Sequence, residues 1–147
     1  LGDVYKRQGL DVGSMTQPKT PELTFNNSAT ISSDKLSRAL RAAKMVNELV
    51  NLSLDSTKMT ISADQEAGES VTVSFESGEL SELSSPSPTN STYSLQFLDP
   101  LTRKLAGGLT EQVVVEFQEK FPLRMSWNSN DGGSWTYFLA PRVTNDP

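Results

Sequence analysis

Four acidic residues are the side chains that could supply paired carboxylates for acid–base chemistry: Asp55, Asp64, Glu66 and Asp99. Two carboxyl groups flanking a glycosidic bond can hydrolyse it, provided that the fold holds them a few ångströms apart. Nothing in the spacing of these four residues brings two of them together. Acidic residues in turn-like segments usually form hydrogen bonds within the turn. The acidic residues therefore do not favour an enzyme.

The residue types that are absent point the same way. The 147 residues include no histidine and no cysteine. Histidine is the commonest general base and metal ligand, and cysteine supplies thiolate nucleophiles, thiolate ligands and disulfides. Carboxylates, lysines and hydroxyls remain, which is a poor set for most reactions. We predict a protein that is not an enzyme and that has no cofactor and no metal site.

The composition favours a β-rich fold. The hydrophobic fraction is 35%, and serine, threonine and asparagine are abundant, as in sheets with one solvated face. The net charge of −5 argues against a uniformly basic nucleic-acid-binding surface, although it leaves room for local basic stripes. No apolar run is long enough to span a bilayer, and no secretory signal is visible. The length suits one domain.

The N-terminal residues divide into two segments. Residues 1–8 (LGDVYKRQ) resemble a translated sequencing-adapter remnant, so we predict that they are not native and that the chain is a fragment. Residues 9–21 (GLDVGSMTQPKTP) have the composition of a linker. Within this linker, Leu10 and Val12 are apolar and two residues apart, as on an extended segment.

Two amphipathic helices are predicted, each following a strand. Residues 32–48 can be capped by Ser32, Ser33 or Asp34. One face of this helix is apolar: Leu36, Ala39, Leu40, Ala43 and Val46. The second helix, within residues 94–108, ends at a glycine pair and contains Pro100, which should kink or shorten it.

The predicted order of elements is β-α-β-β-β, occurring twice. In the first unit, a loose strand at 22–31 and the first helix precede strands at 49–54, 58–63 and 70–75. A loop follows at 76–90. In the second unit, a strand at 92–94 and the second helix precede strands at 111–117, 123–127 and 135–139. A duplicated unit of this kind predicts an α+β domain with antiparallel sheets and two helices.

Three stretches carry a resemblance to a known family. The C-terminal FPLRMSW…GGSWTYFLAPRV resembles the final hairpin and "YLAP-basic-hydrophobic" ending of DNA sliding clamps of the proliferating-cell-nuclear-antigen type. STYSLQFL is similar to the "T-Y/F-x-L-x-Y-L" segment of these clamps. LDVGSMTQPKTPELTF resembles the interdomain connector of archaeal-type clamps. The resemblance covers nearly everything after Gly9.

The resemblance implies an interdomain connector at 9–21 and a C-terminal clamp domain at 22–147, with repeats at about 22–76 and 91–143. It implies a DNA clamp fold in which the sheets lie outside and both helices lie on the inner face of a homotrimeric ring. It implies a processivity factor that encircles duplex DNA without sequence specificity. The expected clients are polymerase, flap nuclease, ligase and clamp loader, and the expected location is the cytoplasmic nucleoid, or the nucleus in a eukaryote.

The resemblance also assigns residues to three surfaces. The pocket that binds a client peptide is expected to be walled by Leu10, Val12, Ser94, Pro122, Phe138, Leu139, Ala140 and Pro141. The residues expected to face DNA are Lys35, Arg38, Arg41, Lys44, Arg103 and Lys104. The strand expected to pair with the next subunit consists of Ser70, Val71, Thr72, Val73, Ser74 and Phe75. Ser94 replaces a smaller, alanine-like residue of the family.

A secreted or surface β-rich adhesion module is the alternative function. Three Asn-x-Ser/Thr sequons, at Asn26, Asn51 and Asn90, and the two tryptophans, Trp127 and Trp135, fit such a module. The two basic helices and the missing secretory signal argue against it.

Overall fold

The computed structural model describes residues 23–142, which contain two α-helices, nine strands, a short 3₁₀ helix at Ser77–Glu79 and a π-helical turn at Leu105–Leu109. The helices are α1 (Ser33–Lys44) and α2 (Leu95–Lys104). The strands are β1 (Ser28–Ser32), β2 (Leu49–Leu54), β3 (Lys58–Asp64), β4 (Ser70–Glu76), β5 (Glu82–Ser84), β6 (Thr89–Ser94), β7 (Gln112–Glu116), β8 (Leu123–Asn128) and β9 (Ser134–Leu139). The order β-α-β-β-β therefore occurs twice, as predicted, with β5 added between the two units.

The first helix begins and ends where its sequence provides partners for free backbone groups. The Ser32 side chain caps α1 by accepting a hydrogen bond from the Lys35 backbone N–H at 3.2 Å. Shortly after the helix ends, Asn47 donates to the Asp64 carbonyl at 2.7 Å and accepts from the Leu49 N–H at 3.1 Å. The chain is thereby turned into β2, so the helix stops before residue 48.

The first strand of each unit joins the sheet of the other unit. One antiparallel sheet has the order β5-β1-β7-β8-β9 and the other has the order β4-β3-β2-β6. Thus β1 pairs with β7 along its full length, and β6 pairs with β2 along its full length. The two units are interlocked and form one domain, in agreement with the α+β prediction.

Both sheets and both helices share one core. The apolar face predicted for α1 is confirmed, because Leu36, Ala39, Leu40 and Ala43 are buried and Val46 packs partly against them. The two helices pack against each other, and the buried faces of the strands alternate with solvated faces as period-two patterning requires. The polar faces of both helices consequently remain at the surface, side by side.

Two local expectations are wrong. The predicted 76–90 loop contains β5, whose three residues are too few to show periodicity and are held by pairing with β1. The helix α2 also runs through Pro100 without breaking, since Pro100 is exposed and the Gln96 carbonyl that loses its partner lies on an exposed turn. The helix then widens into a turn at Leu105–Leu109, which Gly108 closes with φ at 124°.

Candidate functional site

The end of the described chain is held against two other segments. Leu139 at the end of β9 pairs with Leu123, the residue after Pro122. Beyond β9, the Arg142 backbone N–H donates to the Thr92 carbonyl on β6 at 2.8 Å. The segment 139–142 therefore bridges from one sheet to the free edge of the other. It runs close to the backbone of both expected pocket walls, at residues 94 and 122.

A buried tyrosine, which the sequence analysis did not single out, fixes this arrangement. The Tyr93 hydroxyl donates to the Phe121 carbonyl at 2.7 Å, and the ring is fully buried with its edge against Phe117. Burial raises the pKa of Tyr93 to about 12, while a hydrogen bond with Ser91 acts in the opposite direction. Tyr93 thus connects the strand that carries Ser94 to the loop that carries Pro122.

The expected pocket residues on β9 lie on opposite faces of the strand. Phe138 is 44% exposed and lies opposite Arg124 on the outer face, whereas Leu139 is half-buried and packs against the core. Beyond the strand, Ala140 is exposed and Pro141 is half-buried. Phe138 is therefore the large apolar side chain of this segment that is open to solvent.

Ser94, which was expected to line the pocket, caps the helix α2. Its side chain is buried and caps α2 by accepting a hydrogen bond from the Gln96 backbone N–H at 3.3 Å. Ser32 caps α1 in the same way, so the serine follows the internal repeat. The connector residues expected to wall the pocket, Leu10 and Val12, lie outside the described residues 23–142.

A cluster on the outer face supports the loop that carries Pro122. Arg124 forms a bidentate ion pair with Glu116, at 2.7 and 3.1 Å, and its guanidinium lies 4.4 Å from the centre of the Phe25 ring. Phe25 in turn contacts Phe121 edge-on, with ring centres 5.4 Å apart. Phe25 is far from the other residues in sequence, so no local spacing could have revealed this cluster.

The two helices carry a concentrated positive charge on their exposed faces. They contain six basic residues and two acidic ones, although the chain as a whole has a net charge of −5. All six basic residues, which are those expected to face DNA, are exposed: Lys35, Arg38, Arg41, Lys44, Arg103 and Lys104. Because α1 and α2 are neighbours, these side chains form one surface, which we call the basic helix face.

The basic side chains differ in their partners. Arg38 pairs with Asp34 at 3.0 Å across an exposed turn of α1. Lys44 and Arg103 both pair with the buried Asp99, at 3.5 and 2.7 Å. Within residues 23–142, the other three have no ion pair: Lys35, Arg41 and Lys104.

The expected interface strand lies at a free sheet edge. β4 pairs with β3 through seven residues, and no strand of the described chain pairs with its other side. Alternate residues of β4 turn towards α1, where Val73 and Phe75 line a groove with the side chains of Lys35 and Arg38. The groove has an apolar floor and a basic rim.

Asp55, one of the four candidate carboxylates, is engaged in hydrogen bonds within its own turn. Asp55 accepts hydrogen bonds from the Thr57 N–H and hydroxyl, each at 2.7 Å, and from the Lys58 N–H at 3.0 Å. The bonds from Thr57 are the main reason that the pKa of Asp55 is lowered. Residues 23–142 contain no cluster of three or more His, Cys, Asp or Glu side chains that could hold a metal. Neither of their helices is long and apolar enough to cross a membrane.

The fold and the sequence both match a known protein family. Two interlocked β-α-β-β-β units with paired helices define a clamp-type domain. The chain belongs to the proliferating cell nuclear antigen family, because the model of that family's C-terminal domain matches residues 19–142. Family membership argues against the alternative of an adhesion module.

Several archaeal proteins show the similarity. A DNA polymerase sliding clamp of Thermofilum pendens is 30% identical over 140 residues, covering 95% of this chain and 56% of the relative. A DNA polymerase sliding clamp of Methanocella arvoryzae is 26% identical, covering 99% and 58%. The chain thus spans about half the length of these relatives.

Solved structures agree on the fold. The crystal structure of PCNA from Thermococcus kodakaraensis superposes with a TM-score of 0.78 at 24% identity, covering 90% of this chain and 54% of that one. A structure described as the C-terminal region of FEN-1 bound to A. fulgidus PCNA gives 0.78 at 21% identity, covering 89% and 52%.

The burial of Tyr93 predicts a loss of stability at alkaline pH. Its pKa is raised from 10.0 to about 12, so the stabilisation is fully present below pH 10 and is lost as the pH rises through 12. We expect Tyr93→Phe to lose one hydrogen bond, about 1 kcal/mol, at neutral pH but to show a flatter decline across this window. Urea unfolding at a series of pH values checks this, and parallel declines in both proteins would contradict it.

Proposed function

We propose that this chain is the C-terminal part of a sliding-clamp subunit, a non-enzymatic processivity factor that encircles duplex DNA and tethers replication and repair proteins. The observation that carries the proposal is the basic helix face on an otherwise acidic chain. Membership of the proliferating cell nuclear antigen family and the names of the archaeal relatives support it.

The basic helix face suits contact with phosphates rather than with bases. Its lysine and arginine side chains project from two helices that lie side by side, and each can approach a phosphate of the duplex. Contacts with phosphates carry no sequence information, so sequence-independent binding is expected. In a closed ring, topological enclosure retains the duplex, and a few salt-sensitive contacts are enough.

The C-terminal segment suits the binding of a client peptide. The exposed ring of Phe138, the half-buried Pro141 and the adjacent loop at Pro122 form a surface to which a connector segment can add Leu10 and Val12. One similar structure is described as the C-terminal region of FEN-1 bound to PCNA, which supports a peptide-like client at a clamp of this family. We propose polymerase, flap nuclease, ligase and clamp loader as the client classes.

The free edge of β4 suits pairing with a second subunit. Unpaired edge strands attract further strands, and a ring uses up such edges by closing. The groove between β4 and α1 gives an incoming strand an apolar floor next to the unpaired backbone. We propose a homotrimer of full-length subunits on the nucleoid in the cytoplasm, or in the nucleus of a eukaryote.

Reversing charge on the basic helix face tests the DNA role. We expect Arg41→Glu with Lys104→Glu to weaken binding of any duplex sequence and to reduce the salt slope by about two units, because two phosphate contacts are lost. Fluorescence anisotropy with two unrelated duplexes at several salt concentrations measures both effects. Lys120→Glu with Arg142→Glu makes the same charge change at two residues that do not belong to the helices. Equal losses in the two double variants would reject the proposed surface.

Removing the exposed ring on β9 tests the peptide site. We expect Phe138→Ala to weaken binding of a peptide with one aliphatic and two aromatic anchors by about tenfold or more, since apolar contact area is lost. Its unfolding midpoint should change little, because the ring is 44% exposed. The control is Thr136→Ala, on the same face of β9. Fluorescence polarisation measures the affinities, and an unchanged affinity for the Phe138 variant would remove Phe138 from the site.

Introducing a charged side chain on the edge strand β4 tests whether this strand joins neighbouring subunits of the proposed ring. A subunit extended at its N-terminus by the domain that relatives possess is expected to sediment as a trimer, and its Val73→Glu variant as a monomer. A glutamate on an edge strand opposes strand pairing, while Lys35 and Arg38 near the groove allow the monomer to stay folded. Thr60→Glu, one strand inward, is the control for analytical ultracentrifugation. A trimer that survives Val73→Glu would place the interface elsewhere.

A further inference from the structure

A buried carboxylate lies beneath the basic helix face. Asp99 on α2 is 1% exposed, and its Oδ2 atom accepts from Arg103 at 2.7 Å and lies 3.5 Å from the Lys44 ammonium on α1. Its other oxygen, Oδ1, has no hydrogen-bond partner among residues 23–142. The two cations themselves are half-exposed, at 52% and 38%. The buried Asp99 carboxylate therefore pairs with one cation from each helix, and both cations still reach the surface.

The fold does not demand a charge at this position. Asp99 is the fifth residue after the α2 cap Ser94, and the fifth residue after the α1 cap Ser32 is Ser37. Ser37 is also buried, so the equivalent site in the first unit accepts a small neutral side chain. The aspartate thus requires an explanation other than the packing of the repeat.

Burial makes the Asp99 pairs different from the surface pair on the same face. The attraction between two charges grows as the effective dielectric constant falls, and salt screens a partly buried pair less than an exposed one. The Arg38–Asp34 pair is exposed at 76% and 59%, so a phosphate can displace Asp34 easily. A phosphate that approaches Arg103 must compete with the Asp99 carboxylate, which is buried and held in place by the surrounding helix packing.

We propose that Asp99 is a positioning residue that limits how strongly the basic helix face holds phosphate. It keeps Lys44 and Arg103 bound to the protein and cancels one of their two charges. The strong phosphate contacts are thereby left to the three cations of this face that have no ion pair within residues 23–142: Lys35, Arg41 and Lys104. This inference rests on the proposed DNA role and adds to it a built-in limit on affinity, which favours movement along the duplex.

Two variants of the full 147-residue chain test the limit. We expect Asp99→Asn and Asp99→Ser, which copies the residue of the first unit, to bind duplex DNA about three- to tenfold more tightly at low salt. The salt slope should steepen by about one to two units, as one or two cations become available for phosphate. Asp34→Asn makes the same charge change at the exposed pair and should alter both quantities much less.

The outcomes separate this inference from the DNA role itself. Tighter, more salt-dependent binding by the Asp99 variants alone supports the limit. If they bind as the unchanged chain does or more weakly, while Arg41→Glu with Lys104→Glu loses binding, the limit is wrong and the DNA role stands. Equal gains in the Asp99 and Asp34 variants also overturn it, because net charge alone would then explain the effect. If the Arg41→Glu, Lys104→Glu double variant binds duplex DNA as tightly as the unchanged chain, both the DNA role and the limit are wrong.

A measurement on the unchanged chain decides the matter even if the Asp99 variants do not fold. Nitrogen-15 NMR resolves arginine side-chain N–H signals, and the Arg103 guanidinium should give the same signal with and without duplex because Asp99 holds it. The Arg41 signal should shift on addition of duplex. Equal shifts of both arginines would overturn the proposal.

Discussion

The exchange of first strands between the two units is the constraint on which the rest of the structure depends. Because β1 joins the sheet of the second unit and β6 joins that of the first, neither sheet is complete without a strand from the other unit. Each exchanged strand runs directly into a helix, capped by Ser32 in one case and Ser94 in the other. The exchange therefore brings the two helix starts to equivalent places and packs the helices side by side. A continuous basic surface follows from this topology, although each helix alone carries only a short row of cations.

The same topology leaves three long edge strands, β4, β6 and β9, of which β6 and β4 differ in their cover. The edge of β6 is partly covered from within, since the chain after β9 bonds to Thr92 through the Arg142 N–H. The edge of β4 has no such cover among the described residues, and its inward side chains are apolar where they meet α1. An isolated domain with such an edge risks aggregation, whereas a ring would turn it into a specific contact. The proposed assembly thus removes a liability that the fold creates.

The sequence predicted those features that depend on local patterning. The buried face of α1 and the long alternating strands β2 to β4 were predictable because neighbouring residues carry the period. The cap of α1 was narrowed to three neighbouring residues, of which Ser32 is the one that caps the helix. The strand β5 and the cluster around Arg124 were not, since each depends on partners far away in the chain. Asp99 is the clearest example of a feature that the sequence alone could not predict. From the sequence it was only one of four candidate carboxylates, and the packing of α1 against α2 is what buries it next to two cations.

The distribution of charge connects the two proposed surfaces. A chain with a net charge of −5 repels a polyanion at long range, so in the proposed function its acidic surfaces would direct a duplex away from themselves and towards the basic helix face. The apolar segment at the end of β9 belongs to the sheet edge, and its exposed Phe138 faces outwards with Arg124 rather than towards the helices. A duplex and a client peptide would therefore contact different layers of the same domain. Phosphate contacts weaken steeply with salt, whereas apolar contacts do not, so the two kinds of partner can be released and retained independently. That independence is what a moving platform requires, because it must keep its client while its contacts with DNA are continually broken and remade.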